Sequence, residues 1–130
     1  MTIEEQPDSE KSPPQDIGDR SFAFAVRVIN LCKYLDKKPG VNRLIAHQLL
    51  RSGTSIGANV EEGKGSQSRA DFVSKYSIAL KEARETHYWL RLLKECSILE
   101  ARRIEALICE SDQLVRILIT IVKKTKDNSK

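Results

Sequence analysis

From Ser66 to Lys130 the chain runs sixty-five residues without a glycine or a proline. No other feature narrows the choice of fold as much, because these are the two residues that most readily end a helix or turn a strand. Within this half the apolar residues recur at helical spacing. Phe72, Tyr76, Ala79, Ala83, Thr86, Leu90 and Leu93 form one stripe, and Ile104, Leu107, Ile108, Leu114, Val115, Leu118 and Val122 form another. The first predicts a helix over 69–95. Ser68 followed by Asp71 resembles a capping box at its start. The second predicts a helix over 98–124, started by the S-x-x-E box of Ser97 and Glu100 and ended by Lys123, Lys124 and Lys126, which suit a helix C-terminus.

The first half is punctuated differently. Pro7, Pro13 and Pro14 lie among acidic and polar residues, so 1–17 reads as a disordered acidic tail. A first helix is expected over 19–36, with two apolar rows. One is Phe22, Ala25, Val26 and Ile29; the other is Phe24, Val28, Leu31 and Leu35. Together they are broader than one buried face needs. Pro39-Gly40 marks a turn, and a second helix follows from Val41 to Gly63. The fold expected is all-α: an antiparallel up-down-up-down four-helix bundle over 18–126, its surplus apolar surface favouring self-association.

The stretch RSGTSIGANVEEG (51–63) is the weak link in that expectation, since it holds three glycines and several β-branched residues. Glycine costs about 1 kcal/mol against alanine within a helix. As a phosphate loop it fails: Ala58 stands where the first glycine belongs, Gly65 follows Lys64 where Ser or Thr is required, and no strand precedes it. It reads instead as a helix whose small residues let a neighbouring backbone come close. Ser55, Asn59 and Glu62 share a face there, and Lys75, Arg84 or Thr86 could supply their partners.

Function is approached by exclusion. No apolar run is long enough to cross a bilayer, and no secretory signal is expected. Cys32, Cys96 and Cys109 have neither disulfide nor zinc spacing; they read as buried, reduced thiols of a cytoplasmic protein. His47 and His87 have no second ligand at metal spacing, and the arginines preceding them do not fit the spacing of HEPN-type ribonucleases. No acid–base or nucleophile pair stands out, so neither enzyme chemistry nor a cofactor is expected.

Two surface features remain. Ile78, Tyr88, Trp89 and Leu92 on the third helix, with Phe24 on the first, are expected to form a subunit interface, for Trp and Tyr anchor interfaces well. Charge supplies the other. Residues 1–20 carry six acidic and two basic side chains, leaving 21–130 with twenty basic and twelve acidic, a net +8. Lys81, Arg84 and Arg91 line one edge of the third helix, with Arg69, Arg102 and Arg103 as further cations, so salt-sensitive binding of nucleic acid is expected. A protein-interaction module that binds no nucleic acid is the alternative.

The segments RSGTSIGANVEEG and SRADFVSKYSIALKEARETHYWLRLLKE (68–95) carry the paired patterns S-I-x-x-N-x-x-E-G and I-A-L-K-E-A-R-E-T-x-Y-W-L. In these the chain resembles a family of small bacterial four-helix-bundle proteins encoded by intervening sequences in large-subunit ribosomal RNA genes. A related branch is the accessory variability determinant of diversity-generating retroelements. The resemblance spans roughly 20–125. It implies a ring of five identical subunits with a basic surface and, for the retroelement branch, nucleic acid and a reverse transcriptase as partners. The motif residues it carries over are Ser55, Asn59, Glu62, Gly63, Glu82, Glu85 and Thr86, with structural rather than catalytic roles implied.

Overall fold

The computed structural model describes residues 16–128. Four helices account for nearly all of it: α1 (Ile17–Leu35), α2 (Val41–Lys64), α3 (Arg69–Glu95) and α4 (Ala101–Asp127). No strand occurs among the described residues. Connections of four or five residues force each helix to fold back on its predecessor, and α1 closes the bundle against α4. α1 and α3 occupy opposite corners, with no backbone approach between them.

Local chemistry sets the boundaries. Asp16 accepts a hydrogen bond from Asp19 N at 2.7 Å and caps α1. Ile17 is already helical and buried, which corrects the expected tail boundary by two residues; residues 1–15 of that tail lie outside the described residues. Gly40 precedes α2 with φ 93°, a left-handed conformation that favours glycine. Ser68 accepts from Asp71 N at 3.0 Å, and α3 starts as its sequence predicts.

The start of α4 differs from expectation. Ser97 does not cap it; Ser97 adopts φ 57° and terminates α3 instead. Ser97 N donates to Lys94 O and Ile98 N to Leu93 O, at 3.0 and 3.1 Å, the paired bonds of a Schellman motif. α4 therefore begins three residues later, with Glu100 at its N-cap position. Two signals competed for Ser97, and satisfying the last carbonyls of a 27-residue helix prevailed.

The core follows the apolar stripes. Phe24, Val28, Leu49, Ile56, Leu90, Ile104, Leu114 and Leu118 are within 1% of complete burial. On α1 only one of the two predicted rows goes inside. The row of Phe22, Val26 and Ile29 stays exposed, Phe22 at 72%.

The small-residue stretch of α2 is helical throughout, as read, and its glycines explain why. A Cβ on Gly53 would lie 2.8 Å from Val28 Cγ1, and one on Gly57 would lie 3.4 Å from the backbone oxygen of Ser21. A Cβ on Gly63 would lie 2.5 Å from the Tyr76 ring. The first two seat α1 closely against α2, and the third seats α3.

Candidate nucleic-acid interface

α3 turns its inner face to α2 and α4 and its outer face to solvent. Tyr76, Ala79, Ala83, Thr86, Leu90 and Leu93 are buried. Roughly opposite them on the helical wheel lie Lys81, Arg84, Tyr88 and Arg91, all exposed. Arg84 and Arg91 stand one turn to either side of Tyr88, within side-chain reach of it. From Lys81 to Arg91 the row extends about 15 Å, at 1.5 Å per residue. Lys81, Arg84 and Arg91 form no hydrogen bond or ion pair with any described residue. Their charges are uncompensated, whereas most other cations of the bundle are engaged.

The remaining predicted cations are placed elsewhere. Arg69, at the far end of α3, donates to the Asn128 carbonyl. Arg102 pairs with Glu100 at 3.3 Å. Arg103 lies over the Tyr34 ring, 4.7 Å from its centroid, and so ties α4 to α1. All three are exposed, but the structure groups only Lys81, Arg84 and Arg91 into one row.

Beside this row runs the aromatic cluster. Tyr88 is 48% exposed, and its ring meets Trp89 edge to face at 5.4 Å. Trp89 is half-buried against the core and donates from Nε1 to Glu85 Oε2 at 3.0 Å. Ile78 and Leu92 are likewise half-buried by their own chain. Phe24 does not belong with them. It is 1% exposed within the bundle core and cannot reach a partner subunit, so its assignment to an interface is corrected. The reason is rotational: its row on α1 faces inward, and that of Phe22 faces out.

The motif residues knit α2 to α3. Arg51 forms ion pairs with both Glu82, at 3.3 Å, and Glu85. The Thr86 and Ser52 hydroxyls meet at 2.9 Å in the buried seam, and Thr86 also donates to Glu82 O at 2.8 Å. Glu62 pairs with Lys75 at 2.9 Å, one of the partners expected. Ser55 and Asn59 need no partner on α3: Ser55 donates to Arg51 O and Asn59 to Ser55 O, both within α2. Among buried side-chain polar atoms of the described residues, none lacks a partner. Arg51 and Ser52 were not singled out by sequence, because spacing alone does not place them opposite Glu82, Glu85 and Thr86.

Other chemistry is sparse. Cys32 is buried and donates to Ala46 O at 3.3 Å, while Cys96 and Cys109 are exposed, contrary to the expected burial of all three. Burial pushes the Cys32 thiol up to about 11, with Asp36 adding to the effect. A cleft of about 170 Å³ opens between α1 and α2, with Ile29, Lys33, His47 and Leu50 among its walls. His87 Nδ1 lies 2.9 Å from Ser111 Oγ, a packing contact between α3 and α4. No group of three His, Cys, Asp or Glu side chains converges among the described residues. Among the described residues, no helix is long and apolar enough to cross a membrane.

Comparison with known proteins identifies this architecture. The crystal structure of a protein of unknown function from the S23 ribosomal protein family of Bacteroides thetaiotaomicron is similar, with a TM-score of 0.77 and 44% identity. The match covers 83% of this chain and 99% of that one. No curated protein matches. The model of the 23S rRNA-intervening sequence protein family matches residues 15–120, and the chain belongs to that family.

Proposed function

We propose that this chain is a non-enzymatic, self-associating helical bundle that binds structured RNA or DNA through the outer face of α3, as an accessory factor in the cytoplasm. The observation that carries the reading is the row of Lys81, Arg84 and Arg91, three exposed cations that no described residue neutralises. Phosphates are the complementary groups, and each one neutralised releases a counterion. Contacts of this kind position a nucleic acid without reading its sequence.

Self-association fits the opposite corner. Phe22, Val26 and Ile29 at i, i+4 and i+7, with Leu50 beside Ile29 across the cleft, leave an apolar strip open on α1 and α2. This strip is better exposed than Ile78, Trp89 and Leu92 of the expected interface, which their own chain half covers; Tyr88 alone of that set is as exposed as the strip. Copies joined there, as five in a ring by the family resemblance, would still present α3 outward. A reverse transcriptase as partner rests on the resemblance to the retroelement branch alone. The apolar strip equally supports a second reading, a protein-interaction module that binds no nucleic acid.

Binding of a labelled RNA hairpin across a salt series separates the two. The first reading expects log K to fall steeply with log salt, with a slope of several units. Arg84→Ala or Arg91→Ala should each lower that slope by about 1. Failure to retain RNA or DNA even at low salt would leave the second. Phe22→Ser examined by light scattering tests the strip independently, with a smaller particle expected than for the unaltered chain.

A further inference from the structure

We infer that Tyr88 is a stacking platform, and that the α3 surface therefore takes unpaired nucleotides, in single strands or loops, in preference to duplex. The inference rests on the nucleic-acid reading above and specifies which form of the ligand that surface selects.

Four observations carry it. Tyr88 is a large aromatic side chain left about half exposed on the outermost line of α3, where a charged residue would be ordinary. It is interleaved with cations that have no partner: Arg84 one turn before it, Arg91 one turn after it, and Lys81 beyond Arg84. It is also held in place. Its ring rests edge to face on Trp89 at 5.4 Å with an interplanar angle of 68°. Trp89 is fixed in turn through its indole N–H to Glu85, and Glu85 by Arg51. A chain of contacts running from α2 thus supports one edge of an exposed ring.

That arrangement matches the requirements of base stacking. A stacking side chain must present aromatic surface to solvent, and it binds better when its rotamer is already chosen, because less entropy is lost. Every base has a π-face, so stacking tolerates any sequence, but only an unpaired base can offer that face to a side chain. Arginines spaced one turn to either side supply the phosphate contacts. An acidic protein segment would satisfy the cations yet make no use of the ring. The Tyr88 hydroxyl is dispensable in this account; the ring is not.

The test uses the full chain, with a labelled oligouridylate and a labelled RNA duplex of equal length, read by fluorescence anisotropy at low salt. The unaltered protein should bind the single strand more tightly. Tyr88→Ala should weaken single-strand binding by about 5- to 150-fold, the usual effect of losing one stacked base, and leave duplex binding unchanged. Tyr88→Leu, which keeps apolar bulk without a π-face, should lose binding similarly, and Tyr88→Phe should retain it. Circular dichroism on each variant confirms that the bundle is intact. If Tyr88→Ala binds the single strand normally, or loses single strand and duplex alike, the stacking inference is overturned. Arg84→Ala weakening both ligands would in that case leave the broader reading standing. No binding of either ligand by the unaltered protein overturns both.

Discussion

The seam between α1 and α2 depends on glycine at position 53, and the dependence can be measured. Replacing a helical glycine with alanine ordinarily stabilises by about 1 kcal/mol. At Gly53 the added methyl would sit 2.8 Å from Val28 Cγ1 and 3.1 Å from Cγ2. Val28 has no exposed surface and is β-branched, so its rotamer cannot turn away easily. Overpacking of this kind costs about 1–3 kcal/mol. The two effects leave Gly53→Ala destabilised by about 1 kcal/mol. Val28→Ala removes both obstructing methyls and costs about 2–3 kcal/mol, as the loss of buried aliphatic carbon usually does. In that background the alanine at 53 meets only the Cβ of residue 28, at 3.3 Å, and most of its helical advantage returns. Gly53→Ala should then stabilise by about 1 kcal/mol, giving a coupling of about 2 kcal/mol across the double-mutant cycle. Urea unfolding followed at 222 nm, at one fixed protomer concentration, gives all four corners. Additive effects, or Gly53→Ala alone raising stability, would refute close packing as the reason for glycine here. Gly57 is an internal control. Its added methyl would find Ser21 Oγ at 3.3 Å and the Ser21 backbone oxygen at 3.4 Å, tighter than most Cβ contacts but short of the clash at Gly53, so the strain offsets the helical gain and Gly57→Ala should be near neutral.

Three further predictions follow from single features. Ser97→Gly should raise stability by about 0.5–1 kcal/mol in the same assay, because a left-handed residue at C′ costs serine what glycine does not pay. Arg51→Met should destabilise by about 1–2 kcal/mol by leaving Glu82, 8% exposed, without its cation; Arg51 is half exposed, which places the loss below that of a fully buried pair. Adding Glu82→Gln should recover most of it, and no recovery would mean that the pair is not the cause. Iodoacetamide at pH 8 followed by mass spectrometry should label Cys96 and Cys109 within minutes and spare Cys32, whose thiol stays protonated until the pH approaches about 11.

Helix count, order and register were legible in the sequence because apolar periodicity and punctuation agreed. α3 was read to the residue: Ser68 had one role, and the stripe from Tyr76 to Leu93 had one period. α4 was read three residues early because Ser97 could serve either helix, and hydrophobic pattern does not say which carbonyls need it. The reading of α1 failed in a different way. Two apolar rows were visible, but periodicity cannot tell which faces inward, and Phe24 was placed at the surface when Phe22 holds that position. Pairing across helices was the least legible layer. The Arg51–Glu82–Glu85 cluster and the Ser52–Thr86 contact depend on how α2 and α3 are rotated and shifted. One-dimensional spacing does not contain that information.

The three close-packed glycines bear on the surface as well as the core. Gly53 and Gly57 draw α1 against α2, and with its Phe24, Val28 and Leu35 side buried, α1 is left holding Phe22, Val26 and Ile29 outward. Gly63 accepts the Tyr76 ring, which seats the start of α3 on the end of α2. The Arg51 clamp and the Ser52–Thr86 bond then fix α3's rotation farther along, so that Lys81, Arg84, Tyr88 and Arg91 face solvent. Because α1 and α3 stand at opposite corners, the apolar strip and the basic row look away from each other. A ligand on one need not compete with a subunit on the other. Substitutions confined to Phe22 and Val26 should therefore change particle mass while each subunit keeps its intrinsic affinity for a short oligonucleotide. Arg84→Ala should do the reverse. If every substitution that weakened assembly also abolished binding of an oligonucleotide short enough to touch one subunit, the two faces would not be independent, and the placement of the site on α3 alone would fail.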